Sequence, residues 1–211
     1  MEIVARNPVC ITRHAEAAGR DRGRLVDGRR DRGALAIDHP ANVQRIVLMS
    51  APAPGRLGVP VAPGVEATLS GSPGTTFGDV MKVLFPPTAV RAGAECFRNN
   101  MFTPADYASP AIPSSVTARQ SALLRAWAHD DAAAQALRTT HVDALVLAGD
   151  DDAALSTQNA QAPIYTLPGA QQLTIRAAGH AMMYRYPDAL AAAINRFIAQ
   201  SPARQVAETA D

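Results

Sequence analysis

Lysine is nearly absent from this chain, with Lys82 alone beside nineteen arginines. Aromatic residues make up 5%, and Cys10 and Cys96 are the only cysteines. Each shortage excludes something. Two cysteines are too few for a disulfide framework, and they stand in neither CxxC nor Cys/His spacing, so no metal site is expected. No cofactor is expected either. The same scarcity points to a reducing, cytoplasmic setting. No apolar run approaches the ~18 residues of a membrane-spanning helix. Met1 to Pro8 lacks the basic and apolar regions of a signal peptide. A net charge of +1 gives no electrostatic reason to expect nucleic acid or an anionic membrane as partner. What is abundant is alanine, proline, glycine and arginine, the composition of a GC-rich coding sequence. At 211 residues the chain suffices for one domain, or one domain with an inserted subdomain.

Along the chain the texture changes at Gly33. Residues 1–33 hold eight of the nineteen arginines with acids interspersed, and from Gly19 to Gly33 no apolar periodicity survives. This segment reads as a disordered basic tail. Ala34 to Pro40 looks like a helix end stopped by proline. Val43 to Ser50 reads as a strand, and its run of four apolar residues suits a parallel sheet covered on both faces. Residues 56–76, rich in Gly, Pro, Ser and Thr, read as loop. Phe77, Val80, Met81, Leu84 and Phe85 follow the i, i+3, i+4, i+7, i+8 spacing of one helical face. Further helices are expected from about Pro87 to Asn99, Ser115 to His129 and Asp131 to Arg138, with a turn-rich stretch from Met101 to Pro113. Together they form a helical insertion, a cap at about 68–140. Its Met and aromatic positions are expected in the core, some of them lining a pocket beneath a lid. The last third alternates: strand 144–148, helix near 157–166, strand 171–176, helix 187–199, then a polar tail over 201–211. Such alternation argues for an α/β sheet with ligands at the carboxyl ends of its strands.

Two acid–base candidates lie just past such ends. Asp150, Asp151 and Asp152 follow the first of these strands, and Gly179-His180 follows the second. A carboxylate that fixes the tautomer of a histidine makes it a general base for a serine or cysteine nucleophile. The other histidines, at 14, 39, 129 and 141, have no such context and are expected at the surface.

Residues 34–200 resemble the C-terminal portion of an α/β-hydrolase. The resemblance rests on Val43 to Pro52, on Leu145 to Asp152, on the histidine loop from Leu173 to Pro187 and on the helix from Leu190 to Ile198. It implies a partial α/β-hydrolase fold, with parallel strands, flanking helices and an inserted helical cap. It also implies catalytic roles for His180 as base and Asp152 as acid, the fourth residue of a Gly-x-x-Asp turn, with Asp150 and Asp151 as rivals. The substrate would be a small molecule with an ester or related acyl bond.

The family's nucleophile sits in a Gly-x-Ser-x-Gly elbow about twenty residues before the strand at Arg45 to Met49, near residue 26. Arg24 to Arg32 contains no serine or cysteine. The earlier strands and the oxyanion-hole loop are missing too. One permitted back-translation of Arg24 to Arg32, shifted by one base, reads Gly-Trp-Ser-Met-Gly-Gly-Ala-Ile. Gly19 to Gly23 in the same frame reads Gly-Val-Thr-Ala-Val, a strand leading into that elbow. The expectation is an out-of-frame N-terminus, an inactive chain and an unpaired sheet edge that favours self-association. Ser50, Ser156 and Cys10 lack the strand–helix turn that exposes a nucleophile.

Overall fold

A computed structural model of the chain describes residues 36–38, 43, 45–101, 113–156, 158–159 and 167–200. The arginine-rich segment 1–33, the stretch 102–112, most of the helix expected near 157–166 and the tail 201–211 lie outside the described residues.

Three strands form one parallel sheet in the order β1-β2-β3: β1 is Arg45–Met49, β2 is Asp143–Gly149 and β3 is Gln171–Ile175. Ile46 pairs with Ala144, and Leu147 pairs with Leu173. Because side chains alternate along a strand, β2 feeds two cores at once. Ala144 and Val146 pack with Ile46, Leu48, Trp127 and Leu137 on one face. Leu145 and Leu147 pack with Leu173, Ile175, Leu190 and Phe197 on the other. Only Asp143 of β2 is exposed, as a central parallel strand requires. β3 buries Leu173 and Ile175 and leaves Gln171, Gln172 and Thr174 to solvent.

β1 departs from the expected double coverage. Ile46 and Leu48 are buried, but Val47 and Met49 are only half-buried. Among the described residues β1 pairs with β2 alone, so its second edge carries no strand.

Between β1 and β2 the described residues are mainly helical: α1 (Pro63–Leu69), α2 (Phe77–Leu84), α3 (Val90–Met101), α4 (Ser114–Ala128) and α5 (Asp131–Thr139). The expected α2 face is real. Met81 and Phe85 are buried with Ala89, Ala94 and Ala181, and Phe77, Val80 and Leu84 pack against them. A capping box starts this helix, with Thr76 accepting from the Asp79 backbone and Asp79 accepting from the Thr76 backbone. Hydrogen bonds from Thr76 and Lys82 lower the Asp79 carboxyl to about 2.

The loop expected over 56–76 is partly helical, since a 3-10 turn covers Gly55–Leu57 and α1 follows. Pro63 opens α1 with its φ already suited to a helix. None of its residues is buried, so it has no apolar stripe for periodicity to detect. After β3 come α6 (Met182–Arg185), too short for periodicity to reveal, and α7 (Pro187–Gln200). No helix among the described residues is long and apolar enough to cross a membrane.

Gly149 ends β2 where the segment after β3 crosses it. A Cβ there would overlap the Ala178 carbonyl, a backbone atom that cannot move aside cheaply. Gly149→Ala is therefore expected to destabilise by about 1–3 kcal/mol through overpacking. Gly64→Ala, where an added Cβ meets nothing within 4 Å, should leave stability unchanged or slightly raised. Urea unfolding of the two variants checks the contrast, and equal midpoints would remove the close-approach argument.

Candidate active site

The parallel sheet delivers two chain ends to one place. At the end of β2, the Asp150 N–H donates to the Ile175 carbonyl at 3.2 Å and the Asp151 N–H donates to the Ala178 carbonyl at 3.1 Å. These bonds lace the acid turn to the segment after β3. Asp152 then points inward. Its Oδ1 accepts from the backbone of Ala154 at 2.8 Å and of Leu155 at 2.9 Å. Its Oδ2 lies 3.0 Å from Nδ1 of His180. The two side chains are 4% and 7% exposed, respectively, so the bond is shielded from water.

Burial by itself would raise the Asp152 pKa. The hydrogen bond and charge of His180, the Leu155 N–H and the nearby Ser50 hydroxyl outweigh it, and the carboxyl ends below its ordinary 3.8. An ionised carboxylate can only accept hydrogen bonds. Nδ1 of His180 therefore carries the ring proton, and Nε2 is left as the basic nitrogen. Among the described residues the ring makes no hydrogen bond other than that to Asp152.

The histidine loop is held from several sides. Gly179 passes 2.7 Å, measured from an ideal Cβ position, from the Leu84 carbonyl, closer than a side chain would allow. That same carbonyl accepts from the Ala181 N–H at 2.9 Å. The Tyr186 hydroxyl reaches the carbonyls of Arg176 and Ala177 at 3.1 and 3.2 Å. Burial raises the Tyr186 pKa, with Asp150 adding to the rise and Arg185 opposing it, so the phenol stays a donor.

His180 lines a cavity of about 370 Å³ between the sheet end and helices α1 and α4. Val59, Leu69, Leu84, Leu124 and Leu155 supply much of its apolar wall. Asn159, 1% exposed, fixes Val59 by accepting its N–H at 2.7 Å and donating to its carbonyl at 2.6 Å. Trp127 donates from Nε1 to the Pro52 carbonyl at 3.1 Å and so ties α4 to the segment after β1. Glu66 and Arg125 of the cavity lining form an ion pair at 2.9 Å.

No family model and no curated protein matches the sequence. Solved structures do share its architecture. An α/β-hydrolase fold protein from Chitinophaga pinensis aligns at 15% identity with a TM-score of 0.64, covering 80% of this chain and 60% of that one. A meta-cleavage product hydrolase from Pseudomonas fluorescens aligns at 17% and 0.59, covering 81% and 61%. An esterase from a Rhodococcus species aligns at 18% and 0.53, covering 81% and 62%. The chain carries part of the α/β-hydrolase fold. It spans about 60% of the length of these structures.

In this α/β-hydrolase scaffold, Asp152 and His180 are brought together, whereas the rivals Asp150 and Asp151 are exposed and make no contact with the His180 ring. Ser50, at the end of β1, is buried beside Asp152 without a hydrogen bond of good geometry and adopts a positive φ of 43°. It shares a small cavity lining with Asp152. His129 and His141 are exposed, as expected, while His14 and His39 lie outside the described residues. Among the described residues no group of three His, Cys, Asp or Glu is placed to hold a metal ion. Sequence reasoning missed Asn159 and Tyr186, because nothing in their spacing marks a partner so distant along the chain or hidden in a loop.

The Asp152 shift sets a pH dependence. A carboxyl whose folded pKa lies below its ordinary value stabilises the fold fully above that value, and the contribution is lost as pH falls through the lower folded pKa. Between pH 7 and the acid side of 3.8, the wild type should therefore lose more stability than Asp152→Asn, which has no such group to protonate. Urea midpoints for both proteins across that range test it, and parallel curves would mean that Asp152 is not held ionised.

Proposed function

We propose that Asp152 and His180 are the acid and base of a Ser-His-Asp hydrolase acting on an ester or related acyl bond of a small molecule. The observation that carries this reading is the buried 3.0 Å bond between Asp152 and His180 at the wall of an apolar cavity. In the full mechanism an elbow serine attacks the acyl carbon while Nε2 of His180 takes its proton. Asp152 stabilises the imidazolium and keeps its orientation. His180 then returns the proton to the leaving group and activates water for the second half-reaction. Two backbone N–H groups would hold the developing oxyanion, each worth roughly 3–4 kcal/mol of barrier. The apolar wall favours a substrate with an apolar group, which fits the esterase and hydrolase character of the structures sharing this fold.

This chain itself would be inactive. No serine or cysteine among the described residues hydrogen-bonds the His180 ring, and Arg24 to Arg32 holds neither residue type. The segment 1–33 is an out-of-frame reading of a longer hydrolase gene, in which a one-base shift supplies Gly-Trp-Ser-Met-Gly at the required place. The coding DNA tests this directly, for codons that give no serine elbow in the shifted frame would sink the proposal. As it stands, the chain should show no turnover of short p-nitrophenyl esters above background. The frame-restored protein should turn them over, and His180→Ala should abolish that turnover.

A second reading is a non-catalytic fragment that acts through self-association. The β1 edge favours it, because Val47 and Met49 are half-buried and no strand pairs beyond β1 among the described residues. Sedimentation of the purified chain tests this second reading: concentration-dependent oligomers support it, and a monomer at every concentration removes it.

A further inference from the structure

Asp150 lies within a triplet of acids and is exposed, yet it makes one of the shortest hydrogen bonds near the site. Its Oδ1 accepts from the backbone N–H of Ala177 at 2.6 Å. Ala177 has φ +52°, a left-handed conformation that an alanine adopts only when its surroundings hold it there. It stands three residues before His180. Two more contacts act on the same segment, the Asp151 N–H on the Ala178 carbonyl and the Tyr186 hydroxyl on the carbonyls of residues 176 and 177. Asp150 is the one member of this set that reaches the strained residue with a charged acceptor, and charge-assisted bonds of this length are the strong ones.

We propose that Asp150 is a positioning residue for the Asp152–His180 pair. The short turn that carries Asp152 inward carries Asp150 outward onto the histidine loop, so one turn sets both partners of the 3.0 Å bond. The two carboxylates divide the work: Asp152 holds the imidazole, and Asp150 holds the backbone from which the imidazole hangs. An ordinary turn aspartate would serve the acid turn alone. Here the side chain spans 27 residues of sequence to the other loop. The inference rests on the reading of Asp152 and His180 as an acid–base pair, and it adds a residue that touches neither substrate nor ring.

The test needs no catalytic activity. The imidazole of His180 is followed by long-range proton–nitrogen correlation in the full ¹⁵N-labelled chain. In wild type the ring should be locked in the Nδ1-protonated tautomer with a downfield Nδ1 proton. Asp150→Ala should release it, with averaged ring nitrogen shifts, loss of the downfield proton and at least tenfold faster amide exchange at Ala177. Asp150→Asn, whose carboxamide oxygen can accept the same bond, should keep the wild-type ring spectrum. An unchanged ring spectrum in Asp150→Ala would overturn the proposal, as would equal damage in the Asn and Ala variants. If Asp150→Ala does not fold, the Asn variant decides: a wild-type ring spectrum supports the clamp and an altered one overturns it. Asp152→Asn separates this idea from the reading beneath it. If that change leaves the ring untouched, the acid–base pair itself fails, whatever Asp150 does.

Discussion

A buried carboxylate is costly unless every lone pair that faces the interior meets a donor. Asp152 meets that condition with two backbone N–H groups on one oxygen and the His180 ring on the other. Most of the molecule can be understood as the frame that keeps those three donors in place. The acid turn must follow β2 and the histidine loop must follow β3, so the two strands have to be parallel neighbours in register. Gly149 then lets the two turns approach, because a side chain there would overlap the backbone of the other.

The helical insertion between β1 and β2 completes the frame from the opposite side. The Leu84 carbonyl at the end of α2 holds the Ala181 N–H, so the histidine loop is pinned by the sheet on one flank and by the insertion on the other. Tyr184 continues that contact through an edge-on packing against Phe97 at 5.0 Å. The same insertion supplies α1 and α4 as walls of the apolar cavity, and Trp127 and Asn159 fix the segments from which that cavity is built. Site and insertion are therefore mechanically continuous.

β1 shows the opposite condition. Its sequence is that of a strand with cover on both faces, but Val47 and Met49 remain half-buried. The structures sharing the fold are longer, with about two fifths of their length beyond the alignment. Among the described residues β1 is an edge strand with apolar side chains partly exposed, and unpaired backbone groups on such an edge invite another strand.

Much of this was legible without coordinates. Strand periodicity, the Gly and Pro punctuation and the i, i+3, i+4 face of α2 are local signals, and they placed β1, β2, β3, α2 and α7 nearly where they lie. The choice of His180, and of an acid just past β2, also followed from position relative to strand ends. Tertiary structure decided what local signals cannot carry. The Gly-x-x-Asp resemblance favours Asp152 but leaves Asp150 and Asp151 as rivals, and the direction in which each side chain leaves the turn then separates Asp152, facing the imidazole, from Asp150, facing Ala177. Helix α1 buries nothing and so leaves no apolar period to distinguish it from a loop. The partners of Asn159 and Tyr186 came into view only with the fold, since a hydrogen bond across 100 residues or around a loop depends on where the backbone returns. Sequence determined which residue types stand at the strand ends; the geometry of return determined which of them meet.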